Sequence, residues 1–146
     1  MITAVVDTNV LLRGAISGSR RSASKDLVNA FFAGRFLLFL SRETFQELQR
    51  VLAEEDVRAK HGWTDEKIVR FCRALEVRAR LVEPKATVSA SVTRDATDTK
   101  FLALAHESNA NYLVTKDNRH LLRLKQHHRT RIVTPSRFLR ELRSYF

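Results

Sequence analysis

Short apolar runs of strand length alternate along this chain with longer segments in which apolar residues recur at helical spacing. Residues 4–6 and 36–40 are continuous apolar runs, and residues 111–115 and 131–134 are expected to form further strands around Leu113-Val114 and Ile132-Val133. Between them, Phe45, Leu48 and Leu52 are typical of the helical pattern. Strands that alternate with helices predict a mostly parallel sheet covered by helices on both sides. This alternation therefore predicts an α/β fold.

Capping and stop signals set the expected helix boundaries. The first helix is expected to be capped by Ser22 or Ser24 and to end at Gly34, and the second to run from its cap Ser41 to about Glu55. The third is expected to begin at Thr64 and to end at Glu83-Pro84. Further helices are expected at residues 95–109, at residues 120–124, which is a short one, and after Thr134-Pro135. Residues 85–93 are expected to be a loop or a short strand, and residues 125–129 a basic loop. Phe138, Leu142 and Tyr145 are expected on the inner face of the last helix.

Length and composition predict one cytoplasmic domain. The chain has 146 residues and 44% hydrophobic content, enough for one domain (1–146) with a substantial core. Its single cysteine, Cys72, lies on an apolar helix face, so a reducing compartment fits best. No run of apolar residues approaches a membrane span or an export signal, and we expect a soluble protein that is not exported.

The charge balance favours a polyanionic partner. Lys and Arg number 26 against 16 Asp and Glu, for a net charge of +10. A basic protein of this size attracts nucleic acid or an acidic protein through its summed field.

The first run ends abruptly in Asp7-Thr8-Asn9. Asp7 is thereby expected at the C-terminal end of a buried strand, the edge of an open α/β sheet where ligands bind. An equally physical interpretation is that Asp7 or Thr8 only caps the helix that follows, since both are good N-caps. The positions of the other acids decide between these two interpretations.

Four acids from separate stretches are expected at that same edge. A helix that follows a strand begins there, which keeps Glu47 near the edge, in the second turn after residues 36–40. Asp98 is expected in the first turn of its helix, and Asp117 follows the strand that ends at Thr115. Asp7, Glu47, Asp98 and Asp117 are therefore expected to converge.

Each acid also has a purely structural interpretation. Glu47 could face solvent or belong to a capping box with Thr44. Asp98 could complement the helix dipole, and Asp117 could be an ordinary turn residue. The constellation is the stronger signal, because two carboxylates about 4 Å apart repel by about 1 kcal/mol in water and about 4 kcal/mol near a protein surface. A bound cation relieves that repulsion.

The donor types indicate which cation. Oxygen ligands without Cys or His suit Mg²⁺ or Mn²⁺. Such ions polarise phosphoryl oxygens and lower the pKa of an attacking water. An acidic metal pocket in a basic protein therefore predicts a nuclease.

Several other residues are candidates for supporting roles. Asn9 and Thr115 are placed to orient the acids through hydrogen bonds, and Asp95 is expected to act as an N-cap rather than as a direct ligand. Residues expected to guide a nucleic-acid backbone toward the metal are Arg13, Arg20, Arg21, Lys116 and Arg119. His127-His128 is expected in a phosphate-contacting loop, while His61, His106 and His120 are expected to be plain surface or core residues.

These motifs resemble the PIN-domain family over nearly the whole chain. The resemblance lies in Val6-Asp7-Thr8-Asn9-Val10-Leu11, the isolated Glu47, Asp95-x-x-Asp98-x-Lys100-Phe101-Leu102, Tyr112-Leu113-Val114-Thr115-x-Asp117 and Thr134-Pro135-x-x-Phe138-Leu139. The nearest branch is similar to the VapC-like ribonuclease toxins of prokaryotic toxin–antitoxin systems.

The resemblance implies a three-layer α/β/α sandwich that cleaves RNA with Mg²⁺ or Mn²⁺ under the control of an antitoxin, and it makes a homodimer plausible. It assigns the acidic ligands to Asp7, Glu47, Asp98 and Asp117. The branch often has a further acid where Thr97 stands here and a glycine where Lys116 stands. Lys116 would contact phosphate or compete with metal for the acids.

Two other function classes remain open. A non-catalytic RNA- or protein-binding module would retain the acids only as a weak metal site, and Lys116 favours it. A phosphatase with an aspartyl nucleophile usually has a second Asp two residues after the first, where Asn9 stands here. Metal-dependent cleavage of RNA would separate the nuclease from both.

Overall fold

The computed structural model describes residues 1–18, 20–85 and 98–145. In chain order its elements are β1 (Thr3–Val6), α1 (Thr8–Ile16), α2 (Ala23–Phe32), β2 (Leu37–Leu40), α3 (Arg42–Ala53), α4 (Glu55–His61), α5 (Asp65–Arg78), β3 (Arg80–Leu81), α6 (Thr99–Ser108), β4 (Tyr112–Val114), α7 (Leu121–Leu124), β5 (Gln126–His127), β6 (Thr130–Val133) and α8 (Pro135–Tyr145). Strands and helices alternate as expected from the apolar runs.

The strands form one sheet in the order β3-β2-β1-β4-β6-β5. All neighbouring pairs are parallel except β5 with β6. After β1 the chain builds outward through β2 and β3, and it then returns to place β4 on the other side of β1. The C-terminal ends of β1 and β4 therefore flank a topological switch point, where open α/β sheets bind ligands.

Alternate residues of the strands enter two separate cores. Ala4 and Val6 of β1 pack into the core on the side of α1, α2, α3, α5 and α8. Val5 packs on the opposite side with Phe101 and Leu121, which come from α6 and α7. Successive strand side chains point to opposite faces, so a strand covered on both sides is apolar throughout. The three-layer α/β/α sandwich and the mostly parallel sheet are confirmed.

The expected caps begin four of the helices. Ser22, Ser41, Thr64 and Thr134 each accept a hydrogen bond from the backbone N–H three residues later, at 3.1, 3.0, 3.1 and 3.2 Å. Ser41 and Thr44 form a reciprocal capping box, so Thr44 uses Ser41 as its partner and leaves Glu47 outside the capping box. Cys72 is buried, as expected.

The boundaries differ in the middle of the chain. The helix capped by Ser41 ends at Ala53, and extended backbone at Glu54 leads into α4, which has no buried residue and so no apolar stripe by which to recognise it. The next helix stops at Arg78, before Glu83-Pro84. The chain then forms β3, an edge strand whose two residues are both exposed and show no alternation.

The C-terminal part holds two further differences. The expected basic loop at residues 125–129 contains β5, which pairs antiparallel with β6. The expectation that Tyr145 faces inward is wrong: Phe138 and Leu142 are buried, but Tyr145 is 56% exposed in the last turn of α8. The helix therefore continues beyond the core it packs against. The expectations for Asp95, Thr97 and residues 86–93 fall outside the described residues.

None of the helices in the described ranges combines the length and the apolar character that a membrane span requires.

Candidate active site

The switch point between β1 and β4 carries two of the predicted acids. Asp7 directly follows β1, and its backbone N–H donates to Val114 O at 2.9 Å, which continues the pairing of the two strands by one residue. Asp117 lies three residues after the end of β4. The sheet therefore brings these two side chains, 110 positions apart in sequence, to the same edge.

Asp7 is both a helix cap and a cleft residue. Its Oδ1 accepts a 3.3 Å hydrogen bond from the Asn9 backbone N–H at the start of α1. Its Oδ2 accepts a 2.8 Å hydrogen bond from the hydroxyl of Thr115, which is fully buried just past β4. The two interpretations of Asp7 thus hold together, because each carboxylate oxygen has a separate donor.

Thr115 links the two acids. While its hydroxyl donates to Asp7, its oxygen accepts a 3.0 Å hydrogen bond from the backbone N–H of Asp117. The Asp117 carboxylate in turn accepts from the backbone N–H groups of Arg119 and His120, at 3.1 and 3.2 Å. These bonds fix the turn that follows β4 and hold the Asp117 side chain in place.

Asp98 lies directly before α6, rather than within its first turn, and contacts Asp117 through its side chain. It is only 6% exposed. Burial acts to raise the pKa of Asp117, but a side-chain hydrogen bond with Asp98, the two backbone N–H donors and the charge of His120 together lower it. Asp117 is therefore ionised readily while it shares a hydrogen bond with a second, buried carboxyl.

Glu47 has two partners of its own. Its Oε2 accepts a hydrogen bond from the buried hydroxyl of Thr8. Its Oε1 forms an ion pair with Lys100 Nζ at 2.9 Å, and the two side chains are 17% and 12% exposed. Glu47 therefore enters the cleft already neutralised by a cation from α6.

The surroundings of Asp7 disfavour its ionised form. Burial raises its pKa, the negative charges of Glu47 and Asp117 raise it further, and the hydrogen bonds from Thr115 and Asn9 only partly offset these effects. A buried carboxyl whose ionised form is disfavoured by its neighbours is a mark of a functional site. Positive charge brought beside Asp7 would relieve it.

The four acids line one open cleft of about 720 Å³. The other residues that line it are Thr8, Asn9, Leu12, Arg13, Val51, Lys100, Phe101, Lys116, Arg119 and His120. Of the five predicted nucleic-acid contacts, the structure places Arg13, Lys116 and Arg119 here, exposed at the cleft. It places Arg20 and Arg21 on the exposed segment before α2, away from the cleft lining.

Three polar residues of the cleft were not among the predicted site residues. Thr8, expected only as a possible helix cap, donates a hydrogen bond from its hydroxyl to Glu47. Lys100 stands two positions after Asp98, and a basic residue so close to a candidate metal ligand is a usable signal. His120, expected to be a plain surface or core residue, lines the cleft, and its backbone N–H donates a hydrogen bond to Asp117.

The donor chemistry of the aspartates fits a hard divalent cation. Asp7, Asp98 and Asp117 offer carboxylate oxygens, which Mg²⁺ and Mn²⁺ prefer. The charged form of the Asp7 carboxyl is disfavoured by its neighbours, and a bound cation would stabilise it. Within residues 1–18, 20–85 and 98–145, no three His, Cys, Asp or Glu side chains already stand in a metal-holding arrangement. The aspartates converge without forming a closed ligand group.

The sheet is an open, mostly parallel α/β sheet with four acids at its switch point, and a family comparison agrees with this fold. A family model described as the PIN domain matches residues 3–119. The chain belongs to the PIN-domain family, whose members are in general nucleases.

The fold is also similar to a solved structure. PAE2754 from Pyrobaculum aerophilum, known from a crystal structure, aligns with a TM-score of 0.53 over 99% of this chain and 90% of that chain, at 17% sequence identity. This likeness is evidence for the fold alone. No curated protein sequence matches the chain.

Proposed function

We propose that this protein is a metal-dependent endoribonuclease that hydrolyses RNA phosphodiester bonds, and that it is the toxin of a toxin–antitoxin pair. The observation that carries the proposal is the convergence of Asp7, Glu47, Asp98 and Asp117 in one cleft at the switch point of the sheet. The family to which the chain belongs supports the nuclease class.

The chain's own residues prepare the site for Mg²⁺ or Mn²⁺. Asp7, Asp98 and Asp117 would hold the ion, which when bound polarises a phosphoryl oxygen and lowers the pKa of water. Thr115 fixes the separation of Asp7 and Asp117, because it hydrogen-bonds to both. The backbone N–H donors of Arg119 and His120 keep Asp117 ionised, as a ligand must be.

Exposed cations at the cleft suit an RNA backbone. Arg13, Lys116 and Arg119 lie beside the acids and can contact phosphates on either side of the bond to be cut. The net charge of +10 adds a long-range attraction that depends on salt. Arg20 and Arg21 would serve a longer RNA that extends beyond the cleft.

The toxin role follows from the resemblance to VapC-like ribonucleases. A basic toxin needs a partner that covers its cleft, and an acidic antitoxin segment would complement Arg13, Lys116 and Arg119. We also propose a cytoplasmic location and a homodimer on this ground. A neighbouring gene for a small acidic protein, whose product abolishes cleavage when co-purified, would support the pairing; cleavage unaffected by any neighbour's product would indicate a housekeeping nuclease.

The test of the nuclease is cleavage of a mixed RNA pool by the chelator-stripped protein, with Mn²⁺, Mg²⁺ or neither. We expect wild type to cut only with metal, and Asp117→Asn to lose at least 100-fold in rate. Asp56→Asn is the matched control, because Asp56 is an exposed acid on α4, away from the cleft. Cleavage that persists in chelator, or in Asp117→Asn, would contradict the proposal.

A non-catalytic RNA- or protein-binding module is the second candidate. The observation that favours it is the ion pair of Glu47 with Lys100, which removes one acid from the ligand set. RNA binding without cleavage by the metal-loaded protein would support this candidate and exclude the nuclease.

A further inference from the structure

The ion pair between Lys100 and Glu47 divides the acids of the cleft into two groups. Glu47 is held on one side by Thr8 and on the other by the ammonium of Lys100, with both carboxylate oxygens engaged. Asp7, Asp98 and Asp117 are connected instead through Thr115 and through the hydrogen bond of Asp98 with Asp117. The four acids are therefore not equivalent candidates for holding metal.

The ammonium of Lys100 is held in the cleft by the residues around it. Its side chain is 12% exposed, and its Nζ lies 2.9 Å from Glu47 Oε1 and 5.1 Å from the centre of the Phe101 ring. An ion pair shielded from water is stronger than an exposed one, since the effective dielectric is lower. Lys100 follows Asp98 by two residues at the start of α6, so the same helix end supplies a carboxylate and an ammonium to one cleft.

Charge balance limits how many divalent ions such a cleft can take. When ionised, the four carboxylates together with Lys100 carry a net charge of −3. One divalent ion brings this to −1, whereas a second would make the cluster positive and would have to enter beside an ammonium. A divalent ion and the neighbouring ammonium of Lys100 would repel strongly, because the effective dielectric is lower where charges are partly buried.

We propose that Lys100 is a positioning residue that occupies the place of a second metal ion, so that the cleft binds one divalent cation at the three aspartates and Glu47 stays outside its ligand set. This inference rests on the proposed metal site and specifies its stoichiometry. Glu47 is then a fixed acceptor beside the site, held by Thr8 and Lys100.

The test is a Mn²⁺ titration of the intact, chelator-stripped chain, with free Mn²⁺ measured by electron paramagnetic resonance and without any RNA. Wild type is expected to bind one ion. Lys100→Met, which keeps the length of the side chain and removes its charge, is expected to bind two. Lys100→Arg retains a cation and is expected to bind one.

Two further variants separate Lys100 from general charge effects. Lys116→Met removes an exposed cation from the same cleft and is expected to leave the count at one. Adding Glu47→Gln to Lys100→Met is expected to return the count from two to one, because the second ion would lose its carboxylate. If thermal melts show that Lys100→Met does not fold, Lys100→Gln replaces it as the variant that lacks the charge.

Each outcome has one meaning. Two ions in wild type, or one ion in wild type and still one in folded Lys100→Met and Lys100→Gln, would overturn the inference and leave the metal-dependent nuclease intact. Absence of binding in wild type and in the Lys100 variants would overturn both, since the aspartates would then hold no metal.

Discussion

Thr115→Val removes the hydroxyl that joins the two acids at the switch point. Valine has nearly the shape of threonine, so the fully buried position keeps its packing. The change deletes the hydrogen bond to Asp7 Oδ2 and leaves the backbone N–H of Asp117 without its acceptor. A bond to a charged group contributes about 1.5–3 kcal/mol, and an unsatisfied buried donor costs about 1–3 kcal/mol.

Because these two effects overlap, we expect the free energy of unfolding to fall by about 2–4 kcal/mol at neutral pH. At about 2–4 °C per kcal/mol the melting temperature would fall by roughly 5–15 °C. The loss must depend on pH. The hydroxyl stabilises the ionised form of Asp7, so its removal raises the pKa of Asp7 further. The cost is therefore largest at neutral pH and shrinks as acid protonates Asp7.

The assay is urea unfolding in chelator between pH 7.5 and pH 4. Thr130→Val is the matched control: Thr130 is equally buried, but its hydroxyl donates to a neutral acceptor, the carbonyl oxygen of Ala110, at 2.7 Å. We expect Thr130→Val to cost about 1 kcal/mol at every pH in this range. If the two variants lost the same stability with the same pH dependence, the link between Thr115 and the charge of Asp7 would be refuted.

Three further predictions concern stability. Asp7→Asn should raise the free energy of unfolding in chelator at pH 7 by about 0.5–2 kcal/mol, because burial disfavours the charged carboxyl. Urea unfolding should show that this gain disappears as the pH is lowered and becomes a loss in saturating Mn²⁺. Gly14→Ala should destabilise by about 1–2 kcal/mol net, since a Cβ there would lie 2.4 Å from a carbonyl oxygen of α2; a gain in stability would contradict this packing. Burial lowers the pKa of His127, and the charges of His128 and His106 lower it further. The stabilisation of the fold by neutral His127 is therefore complete above pH 6.5 and is lost as the pH falls below that value. His127→Gln should flatten the slope of melting temperature against pH between 7 and 5.

The predictions that depended on local signals were the most reliable. Ser22, Ser41 and Thr64 begin helices where their capping side chains indicated. The apolar runs identified β1, β2 and β4, because a strand buried on both faces is largely apolar. β6 was identified by Ile132 and Val133, although its Arg131 is exposed. The elements that were missed, β3, β5 and α4, are short and largely exposed, and no burial constrains their sequence.

For the candidate site, the sequence by itself determined which acids reach the cleft. Strand ends and helix starts in an α/β chain meet at one edge of the sheet, so Asp7, Glu47, Asp98 and Asp117 could be brought together from their order alone. Only the tertiary structure decided their partners. That Lys100 pairs with Glu47 and that Thr115 joins Asp7 to Asp117 depend on distances of about 3 Å between residues up to 108 positions apart. Chain order specifies which edge of the sheet a residue occupies, whereas packing of the layers sets which atoms touch.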